Sequence, residues 1–214
     1  MAQPAGEEPR HLLAPTGVNH VWHMDLAQLR ILWFTFTLAA ILDGFSRRLL
    51  ALRLFARVPR TRDVARLLRQ TTKEHGTPRF VITDHGGQFR KRFSARLADI
   101  GITLIQGPVR APFFNGKIER AFRTFRIWWR LVLTGLSPRS IQRRLDTYRH
   151  WYNECRPHSA LGGRTPEEAW RDLRLPPPVA LRARDPLKFT LEVRRRCCRG
   201  DPLLPIIHIT RRAP

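Results

Sequence analysis

The sequence predicts an α/β fold, a mixed sheet flanked by helices. Three observations lead to it. Between Val21 and Phe55 three strand-like apolar stretches follow one another, the last two joined by a turn signal. From Thr61 to Ile105 a helical period alternates with short apolar runs in the order helix, strand, helix, strand. Past a proline-containing gap, a long amphipathic helix starts near Asn115, which can cap it.

Val21–Leu29 reads as the first strand, with Trp22, Met24 and Leu26 on one face and His23 and Asp25 on the other. Taken alone, Asp25 would be an exposed acid on an edge strand. Trp33–Leu42 suits a strand buried on both sides. Asp43-Gly44 signals a turn and Arg47–Phe55 returns as a third strand, so Asp43 is expected as a turn residue and not a metal ligand. Thr61–His75 carries Val64, Leu67, Leu68 and Thr71 at helical spacing; Gly76 caps it and Pro78 prevents continuation. Phe80-Val81-Ile82 is a short buried strand closed by Asp84. Phe89, Phe93, Leu97 and Ile100 form the stripe of a second helix, ended by Gly101, and Ile102–Ile105 is another strand.

Gly107–Phe114 reads as a loop. In the helix after it, Ile118, Phe122, Phe125, Trp129 and Val132 share one side, and Glu119, Arg123, Arg126 and Arg130 share the other. Read alone, Glu119 is an ordinary surface partner of Arg123. Ser137-Pro138 opens a helix with Ile141, Leu145, Tyr148 and Tyr152 inward. Thr165-Pro166-Glu167-Glu168 is a capping box. The organisation expected is a loose arm over 1–17, a core over 18–175 and a proline-led basic tail over 176–214. In that tail Phe189–Val193 alternates like a strand, Arg194–Arg199 is a basic run, and Leu203–Ile209 can pair with the strand.

Of 214 residues, 39 are basic and 17 acidic, a formal charge of +22 that points to a polyanionic partner, nucleic acid first. Only Lys73, Lys91, Lys117 and Lys188 are lysines; the arginine excess suits bidentate phosphate contacts and equally fits a GC-rich coding sequence. A hydrophobic share of 43% excludes wholesale disorder. Cys155, Cys197 and Cys198 make neither a disulfide framework nor a zinc site, and a reducing cytosol fits them. The apolar run Ile31–Leu42 is too short to span a bilayer, and the N-terminus lacks a signal peptide's apolar core, so a cytoplasmic protein is expected.

Five motifs then occur in order. They are VWHMDL around Asp25, ILDGFSRRLLAL, TDHGGQF around Asp84, NGKIER around Glu119, and YNECRPHSALGGRTPEEAW. Together they resemble the insertion-sequence transposases with a retroviral-integrase-type core, the DDE recombinases, over roughly Val18 to Trp170. The resemblance implies a ribonuclease H-like fold, which the element order matches. It also implies cleavage of a phosphodiester to free a 3′-hydroxyl, then transfer of that end to target DNA, with Asp25, Asp84 and Glu119 as catalytic acids. Converging carboxylates suit hard divalent cations. Two Mg²⁺ ions roughly 3.5–4 Å apart stabilise both attacking and leaving oxygens, with Mn²⁺ able to substitute. Asp25 would bridge the ions while Asp84 and Glu119 hold one each.

Gln88, Asn115, Lys117 and Arg120, with Arg123, Arg126 and Arg130, are the expected DNA-contacting groups, Lys117 and Arg120 through phosphates. His158 is expected to pack or cap. The implied partners are double-stranded DNA, both element ends and target, further copies of the chain assembled on it, and no membrane. In this setting a cytoplasmic bacterial protein associated with the nucleoid is expected. The chain departs from the family in three ways. Asp84 and Glu119 are separated by 34 residues, one fewer than usual; His85 stands where asparagine is common; and only 24 residues precede Asp25. The last leads to an expected separately encoded helix-turn-helix subunit, from a split gene, or else a truncated copy. Two alternatives stand beside the enzyme: a non-enzymatic DNA-binding remnant and a simple metal-dependent nuclease of the same fold.

Overall fold

Strand β1, Val21–Ile31, pairs antiparallel with β2, Phe34–Asp43, through a turn at Leu32-Trp33. β2 pairs antiparallel with β3, Leu49–Phe55. After helix α1, Thr61–His75, the short strand β4, Phe80–Thr83, joins the other side of β1 in parallel. Helix α2, Lys91–Ala98, leads to β5, Thr103–Gln106, parallel to β4. The sheet order is β3-β2-β1-β4-β5. This computed structural model describes residues 14–89, 91–106, 116–130, 137–173, 179–181, 190–198 and 201–212. Its mixed five-stranded sheet flanked by helices is the ribonuclease H-like arrangement expected from the element order.

The central place of β1 removes the reading of Asp25 as an edge-strand acid. Both faces of β1 are covered near its start: Val21, Trp22 and Met24 are fully buried, and His23 is buried with them. β2 is buried on both faces from Phe36 to Asp43, as its composition requires. The expectation fails at its start, where Trp33 is 78% and Phe34 49% exposed. The hairpin closes there in two residues, with Leu32 at φ 52°, and no glycine or asparagine announces the turn.

α1 matches its predicted span. Val64, Leu68 and Thr71 are buried, and Gly76 ends it at φ 93°, a conformation open to glycine. Helix α3, Gly116–Arg130, buries Ile118, Ala121, Phe122 and Phe125. Helix α4, Pro138–His150, buries Ile141, Leu145 and Tyr148. The Tyr148 ring meets Phe125 edge-on at 5.2 Å, and its hydroxyl reaches the Ala121 carbonyl at 3.4 Å, so α4 steadies α3.

Asp43 is the polar anchor of this unit. Fully buried, its carboxylate accepts from the N–H of Asn19 (3.0 Å), Phe45 (3.2 Å) and Ser46 (2.7 Å), and from the Ser46 hydroxyl (2.7 Å). It thus organises the β2–β3 turn and ties the approach to β1.

Contacts divide the chain into two compact units, Met1–Arg149 and His150–Pro214. The second holds the π-helical turn Trp151–Cys155, the short helix α5, Pro166–Trp170, and a sheet in the order β6-β7-β8. Its strands are β6, Val179–Leu181, β7, Thr190–Cys198, and β8, Asp201–Arg212. The basic run continues β7 and does not follow it: Arg194, Arg195 and Arg196 pair with His208, Ile207 and Ile206. The capping box of α5 is formed, with Glu168 N–H on Thr165 Oγ1 at 3.2 Å and Thr165 N–H on Glu168 Oε2 at 2.7 Å. Residues 1–13 of the expected arm, the 107–114 loop and Pro176–Pro178 lie outside the described residues. Cysteine usage needs one correction: Cys155 is disulfide-bonded. Spacing along the chain does not reveal a pairing that the fold creates.

Replacing Asp43 with alanine strands several buried donors, each worth about 1–3 kcal/mol. Asp43→Ala should lower unfolding free energy by roughly 3–5 kcal/mol, measured by chemical denaturation. A loss below about 1 kcal/mol would contradict the anchoring role.

Candidate active site

The register of the central parallel pair brings two of the predicted acids together. Val21 lies beside Phe80, Trp22 beside Val81 and His23 beside Ile82. Continuing that register by two residues puts Asp25 level with Asp84, just past the end of β4. Adjacent strands are about 4.8 Å apart. Across the sheet Asp25 faces Ala40, whose small side chain takes little room beside it. The Leu26 N–H donates to Asp25 Oδ1 at 2.7 Å and orients the carboxylate.

Asp84 is exposed and held from its own chain: the Gly86 N–H donates to Asp84 Oδ1 at 3.0 Å. A Cβ at Gly86 would sit 3.0 Å from that oxygen and 3.1 Å from Gln88 Oε1. Glycine here lets the chain curl tightly around the acid. Sequence reasoning missed Gly86, although the Gly86-Gly87 pair directly after Asp84-His85 carries a signal for this role. Gln88 is half-buried in a 3₁₀ turn, Gly87–Phe89, and His85 is exposed.

Glu119 projects from the first turn of α3 and is exposed. Among the described residues it makes no hydrogen bond or ion pair, so the surface pair with Arg123 is not formed. Between β1 and α3 opens a cleft of about 680 Å³, lined by Asp25 to Gln28 on the strand and by Gly116, Glu119, Arg120, Phe122, Arg123 and Arg126 on the helix. Thus Arg120, Arg123 and Arg126 share one cleft with Asp25 and Glu119.

Lys117, expected beside them, does not line this cleft. It is half-buried near Asp43 and Arg47; burial, then the Arg47 charge, lower its pKa to about 8 against the pull of Asp43. Asn115 and the side chain of Arg130 lie outside the described residues. His158 packs, its ring edge-on to Tyr152 at 4.9 Å and its Nε2 2.8 Å from Arg156 Nη1.

The acids feel one another. Burial first, then the charges of Asp84 and Glu119, raise the Asp25 pKa to about 6, against the Leu26 hydrogen bond. Among the described residues no three His, Cys, Asp or Glu side chains form a ready-made metal site. The donor set nevertheless fits a hard divalent cation. It is all oxygen, it carries mutual repulsion that a cation relieves, and two of its members are exposed and able to rotate.

The raised pKa, owed first to burial and then to the two neighbouring charges, has a measurable consequence. An acid with folded pKa near 6 and unfolded pKa near 3.8 binds more protons when folded, so its contribution to stability is lost as pH rises through that window. Without divalent metal, Asp25→Asn should be more stable than the parent at pH 8 by ~1–2 kcal/mol after solvent screening. The difference should vanish below about pH 4. Denaturation across a pH series checks this; a variant less stable at pH 8 would contradict it.

Two family models, each described as an integrase core domain, match residues 15–112 and 100–166. No curated protein matches the chain. Among solved structures, the HTLV-2 integrase catalytic core domain in complex with magnesium is 16% identical, with a TM-score of 0.59 over 72% of this chain and 97% of that one. A chain of the simian T-cell lymphotropic virus intasome in complex with PP2A regulatory subunit B56 gamma is similar over 98% of this sequence and 74% of its own, at 17% identity and TM-score 0.65. The BIV integrase catalytic core is 20% identical, TM-score 0.55, over 72% and 95%. At such identities the structures speak for the fold, and the family models speak for the sequence. With both in agreement, the chain belongs to the integrase core domain family, with a core of the DDE integrase and transposase type.

Proposed function

We propose that the chain cuts and rejoins DNA by metal-dependent phosphodiester transfer. The observation that carries the reading is that Asp25, within the fields of Asp84 and Glu119, lines a cleft together with Arg120, Arg123 and Arg126. Integrase core domains act in DNA integration and transposition, and one structural relative is a magnesium complex. When bound, Mg²⁺ ions supply charge stabilisation to the oxygens that enter and leave phosphorus. Asp25, Asp84 and Glu119 would hold them, with Asp25 positioned by the Leu26 N–H and Asp84 by the Gly86 N–H.

Arg120, Arg123 and Arg126 would grip phosphates beside the scissile bond and keep the strand in line. In the first step water adds to phosphorus as the P–O3′ bond breaks, leaving a 3′-hydroxyl. In the second that hydroxyl adds to a target phosphodiester, a new P–O bond forming as the target's P–O3′ bond breaks. Neither step needs a covalent link to the protein. Assembly of several copies on DNA is part of the proposal, supported by the dimeric and trimeric forms and the intasome among the relatives.

Labelled duplex with Mg²⁺ tests the reading. The parent chain should yield both cleaved and joined strands. Glu119→Gln should abolish both while leaving affinity for duplex within about twofold, since one exposed acid is exchanged for its amide. Near-parental joining by Glu119→Gln would defeat the assignment; cleavage without joining would indicate a nuclease, and binding alone a non-enzymatic remnant.

A further inference from the structure

A second basic feature lies outside the cleft. Arg62, Arg66 and Arg69 fall at i, i+4 and i+7 on α1, within one face, and line a cavity of about 240 Å³ with Arg96 of α2. No residue lining it is acidic, and none of it belongs to the cleft beside Asp25. Arg62, itself exposed, approaches the half-buried Asp63 at 3.8 Å, a loose pair. The side chains of Arg66, Arg69 and Arg96 make no hydrogen bond or ion pair among the described residues. Between the guanidinium groups the cavity presents apolar surface, including Ala65 and Ile100.

We infer that this α1–α2 groove is a second phosphodiester-backbone site, which holds a nucleic-acid strand apart from the one in the acid cleft. The arginines form a track, and seven residues of helix rise about 10 Å. That is roughly the axial length of three phosphates on one strand of a duplex. Arginine forks suit phosphate oxygens. The apolar surface between them suits deoxyribose, which brings no N–H donor needing a partner. An acidic peptide would bring backbone N–H and C=O groups to the same surface and leave them unpaired. The inference rests on the reading of the chain as a DNA-joining enzyme, whose chemistry requires two DNA segments at once.

The test uses the full chain without divalent metal, so that it reads binding and not catalysis. The variant Arg66→Ala/Arg69→Ala/Arg96→Ala and the parent are titrated with a 20-base-pair duplex across a salt series. A control variant, Arg53→Ala/Arg57→Ala/Arg139→Ala, removes the same number of exposed charges elsewhere. Every phosphate that the protein no longer neutralises should reduce the log–log salt slope by about 0.9. The groove variant should therefore flatten by about 2–3 and bind roughly tenfold or more weakly near 0.1 M salt, with the control close to the parent. An unchanged slope overturns the inference, as does equal flattening in the control, which would reveal a net-charge effect. Loss of poly-glutamate binding in the groove variant with an unchanged DNA slope overturns it in favour of an acidic protein partner. A chain that binds duplex as expected in this titration but never cuts it when Mg²⁺ is supplied would sink the proposed function and leave this site standing.

Discussion

The parallel pairing of β1 with β4 is the constraint on which the site depends. It sets Asp25 level with Asp84, and the packing of α3 adds Glu119 to the same field. Like charges brought together in this way oppose folding. Burial is the first cause of the raised pKa of Asp25, the half-buried member, and the charges of Asp84 and Glu119 add to it. What holds the arrangement is the apolar mass around it: Trp22 and Met24 before the acid on β1, Ala39 to Leu42 on β2, Val81 on β4. A folded domain is stable by only about 5–15 kcal/mol, so a half-buried acid midway along its central strand, within the fields of two like charges, calls for a use that outweighs its cost. The proposed binding of a divalent cation is such a use.

Helix α3 shows how one element serves both needs. Its buried side, Ile118, Ala121 and Phe125, meets the sheet and the Tyr148 ring of α4, which fixes the rotation of the helix. With rotation fixed, Glu119 is turned to the cleft and the arginines follow it at one-turn intervals. Glu119 and the arginines therefore share one wall of the cleft, and Glu119 pairs with no described residue. Asp43 works the other way. It is an acid of the same sheet whose carboxylate is saturated by four donors, and it is left structural for that reason.

Much of this was legible in the sequence, and the reasons are physical. Period and turn chemistry placed β1, α1, β4 and α3, because amphipathic helices and short buried strands write their geometry locally. The roles proposed for Asp25 and Glu119 were not local. Read singly, each is a surface acid, and only the ordered motifs separated them from that reading. The exposed tip at Trp33 and Phe34 was missed because apolar content there resembles the buried strand it leads into. Lys117 could not be told from its arginine neighbours, since its place against Asp43 and Arg47 depends on how α3 meets the β2–β3 turn. The Cys155 disulfide depends on how the fold brings cysteines together, and the strand character of Arg194–Arg196 comes from a hairpin register with Ile206–His208 that the run of charges does not announce.

The central claim is that three carboxylates from separate elements act on one another at one place. The titration of the Asp25 carboxyl carbon, followed by ¹³C NMR without divalent metal, tests it most directly. In the parent chain Asp25 should titrate at about 6. In Asp84→Asn/Glu119→Gln its pKa should fall, yet stay above the ordinary value of 3.8, because burial is the larger cause. A parent Asp25 titrating near 4, or the same pKa in both chains, would contradict the account.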